Sequence, residues 1–176
     1  MLLARMAGDA LKCCVFVDYG QPAAFMEQSA ARWMCYRMGV QLHIVTVRGI
    51  PLGDMATLTG ACVVPNRNAM LLTAASNYAN GQDCDSIWIG CNRSDYHDYE
   101  DCRPEFIKQM EKVLGVWVEA PLTYLTKAEI VAFARGWGIT EQEYWSCYGP
   151  GPVPCGECAS CKEVSAAKMS LVSTSE

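Results

Sequence analysis

Four cysteines, Cys147, Cys155, Cys158 and Cys161, sit within the stretch CYGPGPVPCGECASC. Seven residues separate the first two, and two separate each later pair. A Cys-x-x-Cys step sets two thiolates on one turn, suited to two corners of a tetrahedron. The glycine–proline stretch turns the chain so that Cys147 reaches another corner. Four thiolates with no fifth candidate nearby make a closed site, which fits structural Zn²⁺. An iron–sulfur cluster is the main competing metal reading, and redox-active thiols are a third. The spacing points to a metal but says little about function, since a closed site of this kind mostly holds a terminus to the body of a protein.

Four polar stretches carry the other chemistry. In DYGQ, Asp18 suits a ribose hydroxyl or a metal, and Gly20 permits a tight turn; a plain polar turn is the competing reading. In VPNRN, Arg67 offers a planar fork for a carboxylate or phosphate at a helix start, or else serves in a structural ion pair. The loop SDYHDYEDCR packs Asp95, His97, Asp98, Glu100, Asp101 and Arg103 together. Such a density of titratable groups marks an active-site candidate, with a solvated acidic loop as the alternative. His97 reads as exposed. Cys102 is a possible nucleophile without a sequence signal for a lowered pKa. In TKAE, Lys127 stands in the first turn of a helix, against the helix dipole. A phosphate at that helix start accounts for it; so does a solvated lysine.

These loops need a scaffold. Residues 2–7 read as an amphipathic helix closed by Gly8. Residues 13–17 form an apolar, β-branched run expected to be a buried strand. A helix follows over 23–38, with Phe25, Met26, Ala30, Trp33, Met34 and Met38 toward the core and Gly39 as its stop. Residues 40–47 are a second strand. Asn66 or Asn68 caps a helix running to Gly81. Residues 86–90 are a third strand. A helix from Pro104 carries Phe106, Met110, Val113 and Leu114 on one face. Residues 116–122 hold a fourth strand, and Thr126 with Glu129 forms a capping box that opens a helix to Gly136. Strand and helix alternate throughout, which implies α/β architecture with a parallel sheet covered on both faces. Ligands of such sheets bind beyond the carboxyl ends of the strands, so the three loops after residues 17, 89 and 118 should line one site.

Composition narrows the class. The chain has 176 residues, 51% of them hydrophobic, enough for a real core. No apolar run has the length of a membrane span, and no signal peptide is read at the start. The formal net charge of −5 argues against direct nucleic-acid binding. Eleven cysteines, an odd number without a secretory signal, argue against a disulfide framework and for a cytoplasmic protein. Cys13, Cys14, Cys35, Cys62, Cys84, Cys91 and Cys102 read mostly as small buried hydrophobes.

Taken together, FVDYGQ, VPNRN, DYHDYEDCRPEF, TKAEI and SCYG leading into CGECASC resemble the 7-cyano-7-deazaguanine synthase family, in that order and over about residues 2–162. The resemblance implies a doubly wound, mostly parallel α/β sheet of the PP-loop ATP-pyrophosphatase type (adenine nucleotide α-hydrolase-like). It implies a body over residues 1–146 and a zinc-binding segment and tail over 147–176. It also implies a reaction in which 7-carboxy-7-deazaguanine, ammonia and Mg-ATP give the nitrile through an adenylated carboxylate and an amide. Carried over by motif, Asp18, Tyr19, Gly20 and Gln21 line the nucleotide side. Arg67, Asn68, Tyr99 and Cys102 hold the deazaguanine. Asp95, Asp101, Arg103 and Lys127 act at the reacting groups and phosphate, and the four cysteines hold zinc. A homodimer is expected.

The sequence also departs from the family pattern. Pro22 and Ala23 replace an Arg-His pair, and His97, Asp98 and Glu100 replace Ser, Gly and Pro, which leaves an amide-forming variant open. Family members begin with a strand and a Ser-Gly-Gly-x-Asp-Ser loop before a helix like MLLARMAGDA. The expectation is that Met1 is an internal methionine of a longer protein, with a truncated homologue as the alternative. Another PP-loop enzyme, such as a tRNA-modifying one, and a non-catalytic zinc-stabilised binding protein are the rival functions.

Overall fold

The computed structural model describes residues 1–60 and 62–173. Helix α1 (Leu2–Ala7) leads into strand β1 (Cys13–Asp18), helix α2 (Ala24–Met38) and strand β2 (Gln41–Thr46). Helix α3 (Arg67–Gly81), strand β3 (Ser86–Trp88), helix α4 (Pro104–Leu114) and strand β4 (Trp117–Glu119) follow, then helices α5 (Lys127–Gly136) and α6 (Ala159–Ser173). The punctuation residues do what their chemistry requires. Gly39 ends α2 in the left-handed region, and the N–H of Val40 returns to the carbonyl of Cys35 at 3.0 Å. Pro104 opens α4, and the Thr126–Glu129 box opens α5.

The strands pair in parallel, as the alternation requires, but in two sheets rather than one. β1 runs beside β2 from Cys13↔Gln41 to Asp18↔Thr46, and β3 beside β4 from Ser86↔Trp117 to Trp88↔Glu119. Among the described residues no strand joins β1 to β3. Helix α3 packs on both and spans them. One core gathers Leu72, Ile87, Ile107 and Val118 under α3 and α4; another gathers Val17, Tyr19, Met55, Cys62 and Val64 beyond the end of β1. α1 is wedged between helices, with Leu2 against Leu122 and Ile139, and Ala4 against Met34 and Cys35.

Several expectations shift. α2 buries Met34 and Cys35 and turns Phe25 out, 75% exposed, because apolar residues ring the helix and the stripe facing β1 and β2 is set by packing. Trp33 is also exposed, stacked on Tyr36 and under the guanidinium of Arg37. Val113 of α4 faces solvent, and Ile107 takes the core place. β3 and β4 are each three residues long, shorter than expected. α6 was not foreseen; it packs on α5 and ties to it through Lys127–Glu163 at 3.4 Å. No described helix is long and apolar enough to cross a membrane.

Candidate functional site

The turn after β1 is built by its own side chains. Asp18 Oδ1 accepts from the N–H of Gly20 at 3.0 Å and faces Arg48 at 3.4 Å. Gly20 takes φ 89°, where a side chain would be strained. Gln21 is buried: its Oε1 accepts from the N–H of Tyr19 at 2.9 Å, and its Nε2 donates to the carbonyl of Val17 at 3.3 Å and to Glu27 Oε2 at 2.9 Å. This clamp turns Tyr19 into the core, where its hydroxyl meets Met55 Sδ at 3.8 Å and comes within hydrogen-bonding reach of Arg67.

Arg67 is the first residue of α3 and the centre of the site. Its guanidinium lies 5.5 Å over the ring of Tyr99, with Tyr19 and Tyr148 alongside. Burial opposes the charge and the nearby Tyr19 oxygen favours it, and the guanidinium stays ionised. The hydroxyls of Tyr148 and Tyr99 interact, and burial pushes these two phenols and that of Tyr19 up, so all three rings stay neutral around one cation. Asn66, at the N-cap position, has φ 56° and makes no side-chain capping bond; Asn68 lies inside the helix, buried.

The acidic loop spends much of its charge on its own architecture. Asp95 Oδ2 accepts from Asn92 Nδ2 at 2.6 Å and from its N–H at 3.4 Å, closing a capping box. Asp101 is buried, with Oδ2 accepting from the N–H of Asn68 at 2.8 Å and its carbonyl accepting from Asn68 Nδ2 at 3.0 Å. The same Nδ2 lies 3.2 Å from Cys102 Sγ and 3.5 Å from Cys91 Sγ. The interaction between the Cys91 and Cys102 thiols holds Cys91 protonated and draws Cys102 below the usual thiol range. Arg103 Nε donates to the carbonyl of Tyr96 at 3.1 Å, and its head faces Glu100 at 3.6 Å. Tyr96 in turn donates to the carbonyl of Thr123. His97 is exposed. The N–H of Lys127 donates to Ser94 Oγ at 3.1 Å, and that of Arg93 to the carbonyl of Leu125 at 2.9 Å, so the loops after β3 and β4 are stitched together.

The structure therefore gathers Tyr19, Gln21, Arg67 and Tyr99 around one place, with Asn68, Asp101 and Cys102 as the layer beneath. Asp18 and Arg103 make their contacts at the rim, and Lys127 is paired with α6. Two residues passed over in sequence join the centre: Tyr148, whose only signal was its place beside Cys147, and Glu27, six residues beyond Gln21 on α2.

The four cysteine sulfurs lie within 4.8 Å of one another, the only such group of three or more candidate ligands among the described residues. Backbone N–H groups point at two of the sulfurs, while burial pushes the Cys147 and Cys161 thiols up. Cys147 Sγ accepts from the N–H of Gly149 at 3.2 Å and of Cys155 at 3.3 Å, and Cys155 Sγ accepts from the N–H of Cys158 at 3.3 Å. Backbone donors from Cys158 and Glu157 bring Cys155 down to about 6. A Cβ at Gly149 would stand 3.4 Å from Cys147 Sγ, so the small residue belongs to the cradle. A soft divalent metal fits this donor set. Bound there, it would anchor Cys161 in the first turn of α6 and Cys147 next to Tyr148, coupling the cysteine centre to the ring around Arg67.

Comparison with known proteins gives the same direction. A 7-cyano-7-deazaguanine synthase of Methanospirillum hungatei is 37% identical over 134 residues, covering 72% of this chain and 57% of that protein. One of Thermoplasma acidophilum is 42% identical over 108 residues, covering 56% and 45% respectively. One of Marinobacter nauticus is 38% identical over 183 aligned positions, covering 92% of this chain and 82% of that protein. The chain thus spans about half the length of the first two relatives. The family model described as queuosine biosynthesis protein QueC matches residues 1–170, and the chain belongs to that family.

Proposed function

We propose that this chain is an ATP-dependent ligase that converts 7-carboxy-7-deazaguanine and ammonia to 7-cyano-7-deazaguanine. The observation that carries the reading is Arg67, a half-buried cation among the rings of Tyr19, Tyr99 and Tyr148. A planar heteroaromatic acid suits that surrounding: flat faces against phenol rings, and a carboxylate for the guanidinium fork. Membership of the QueC family and the names of the relatives support it.

The chemistry follows from the leaving group. A carboxylate is a poor electrophile. Transfer of AMP from ATP to its oxygen, with release of pyrophosphate, lets ammonia attack the carbonyl carbon and expel AMP, leaving the amide. A second transfer to the amide oxygen lets that oxygen depart with AMP as two protons leave nitrogen, giving the nitrile. On this reading the protein positions its substrates and neutralises phosphate charge. Asp18 and the turn to Gln21 face the nucleotide. Lys127, at the start of α5, meets phosphate with Mg²⁺. Asp95, Asp101 and Arg103 support the loop that holds the reacting groups. Zinc fills the four-cysteine centre. The doubly wound PP-loop sheet and a homodimer belong to the same reading.

The test is turnover. The zinc-loaded chain, incubated with 7-carboxy-7-deazaguanine, ammonium and Mg-ATP, is expected to yield AMP and a nitrile product by mass spectrometry. A product that stops at the amide favours the amide-forming variant. A folded, zinc-loaded chain that binds the deazaguanine but releases no AMP overturns the ligase reading in favour of a binding protein.

A further inference from the structure

Glu27 is a partly buried acid that the reaction above leaves without a task. It stands in the first turn of α2, and its Oε2 takes one side-chain hydrogen bond, at 2.9 Å from Gln21 Nε2. Gln21 is itself pinned at both ends of its amide, by the N–H of Tyr19 and the carbonyl of Val17. The carboxylate is therefore held in place rather than free to swing. Among the described residues no lysine, arginine or histidine nitrogen lies within 4.0 Å of it, although Arg67 is close enough to act on it electrostatically. The phenol of Tyr19 senses both groups, the guanidinium of Arg67 and the carboxylate of Glu27. Arg67 and Glu27 thus both act on Tyr19 without pairing with each other, and among the described residues one carboxylate oxygen of Glu27 has no protein donor.

This arrangement matches a bicyclic ring that is acidic at one end and a donor at the other. In a guanine-type ring, the ring N–H and the exocyclic amino group lie side by side and point the same way. Two such donors meet the two oxygens of a carboxylate, a charge-assisted pair with fixed geometry. The carboxylate on the five-membered ring lies at the opposite end, where Arg67 takes it. We infer that Glu27, oriented by Gln21, is the specificity-determining residue that reads the donor edge of the substrate ring. The inference rests on the 7-deazaguanine reading and names the residue that selects within that same site. It also gives the Gln21 clamp a purpose beyond turn formation, since a tilted carboxylate would lose one of the two bonds.

The experiment compares two ligands by calorimetry on the zinc-loaded chain: 7-carboxy-7-deazaguanine and its analogue lacking the 2-amino group. The parent chain is expected to prefer the amino-bearing ligand by about ten- to a hundredfold, the range for losing one hydrogen bond to a charged group. Glu27→Gln replaces one acceptor oxygen by a donor and should bring the two affinities to within about threefold. Full discrimination retained by Glu27→Gln overturns the inference while leaving the substrate reading intact. A variant with native zinc content and circular dichroism that binds neither ligand gives Glu27 a structural role and also overturns it. A parent chain that binds neither ligand removes the substrate reading, and the inference with it.

Discussion

Asn68 grips Asp101 twice, once through its backbone N–H to Oδ2 at 2.8 Å and once through Nδ2 to the carbonyl at 3.0 Å. The first bond places a carboxylate on the N-terminus of α3, where free N–H groups and the helix dipole favour negative charge. The second fixes the end of the loop after β3. Between them they set the height of Arg67 relative to Tyr99, one residue before Asn68 and two before Asp101 respectively.

That double grip makes Asp101 a residue of position. Asp101→Ala strands the buried N–H of Asn68 and should cost about 2–3 kcal/mol by urea denaturation, the range for a lost buried bond to a charged group. Asn68→Ala should cost about 2 kcal/mol by the same measure, since it also strips the donor from Cys102. A full-strength fold in Asp101→Ala would remove this account and return the carboxylate to a direct chemical role.

Arg67 should tolerate no replacement that keeps only its charge. Lysine lacks the planar fork and the flat face that lies over Tyr99. Arg67→Lys is expected to weaken binding of 7-carboxy-7-deazaguanine at least about tenfold, roughly 1.4 kcal/mol. Arg67→Met, which keeps length without charge, should weaken it further. Equal affinity in Arg67→Lys would show that the site asks only for a positive charge.

The cysteine centre should act on the site at a distance. Metal analysis is expected to find one zinc per chain. Chelation, or Cys158→Ser, should lower thermal stability by several degrees or more, because ligand bonds contribute directly to folding. It should also weaken ligand binding, since Tyr148 follows Cys147 and reaches Tyr99. Cys84→Ser, outside the centre, serves as the control. Iron with a visible absorption band, instead of zinc, would replace a structural centre by a cluster.

Glu27 should make the free protein less stable as pH rises. Burial raises its carboxyl above the ordinary value of 4.5, with Gln21 and Arg67 working the other way. A raised folded-state pKa means that the native chain holds the proton more tightly than the unfolded chain. The resulting stability is fully present below the unfolded value and is lost as pH rises through the folded one. Glu27→Gln should therefore be the more stable protein at neutral pH, with the advantage vanishing below the ordinary carboxylate range. Paired denaturation curves at the two pH values check the sign; a parent chain more stable at neutral pH would mean that the carboxylate serves the fold.

The sequence by itself determined the order of elements, because caps, glycines and apolar periods act locally: Gly39, Pro104 and the Thr126–Glu129 box each stand where their chemistry required. It also determined the candidate metal-ligand set, since the Cys-x-x-Cys spacing brings four thiols together over a few residues. It marked DYGQ and SDYHDYEDCR by their polarity at strand ends and VPNRN by its place before a helix, while the loop after residue 118, expected in the same site, sends Lys127 to Glu163 of α6. Only the tertiary structure decided the roles within them. Asp95 and Asp101 look like reactive acids in sequence and are largely bound to Asn92 and Asn68 in space; the first is a local capping box over three residues, but the second joins partners 33 residues apart and leaves no local pattern. Tyr148 and Glu27 enter the site for the same reason: one arrives from the four-cysteine cluster and the other from a helix face, by packing alone. The stripe of α2 expected from the sequence included Phe25 and Trp33, but apolar residues surround the helix, and burial against β1 and β2 chose Met34 and Cys35 and left those two outside. Burial and long-range contact turned a list of reactive side chains into a guanidinium ringed by phenols, and neither can be read from neighbours along the chain.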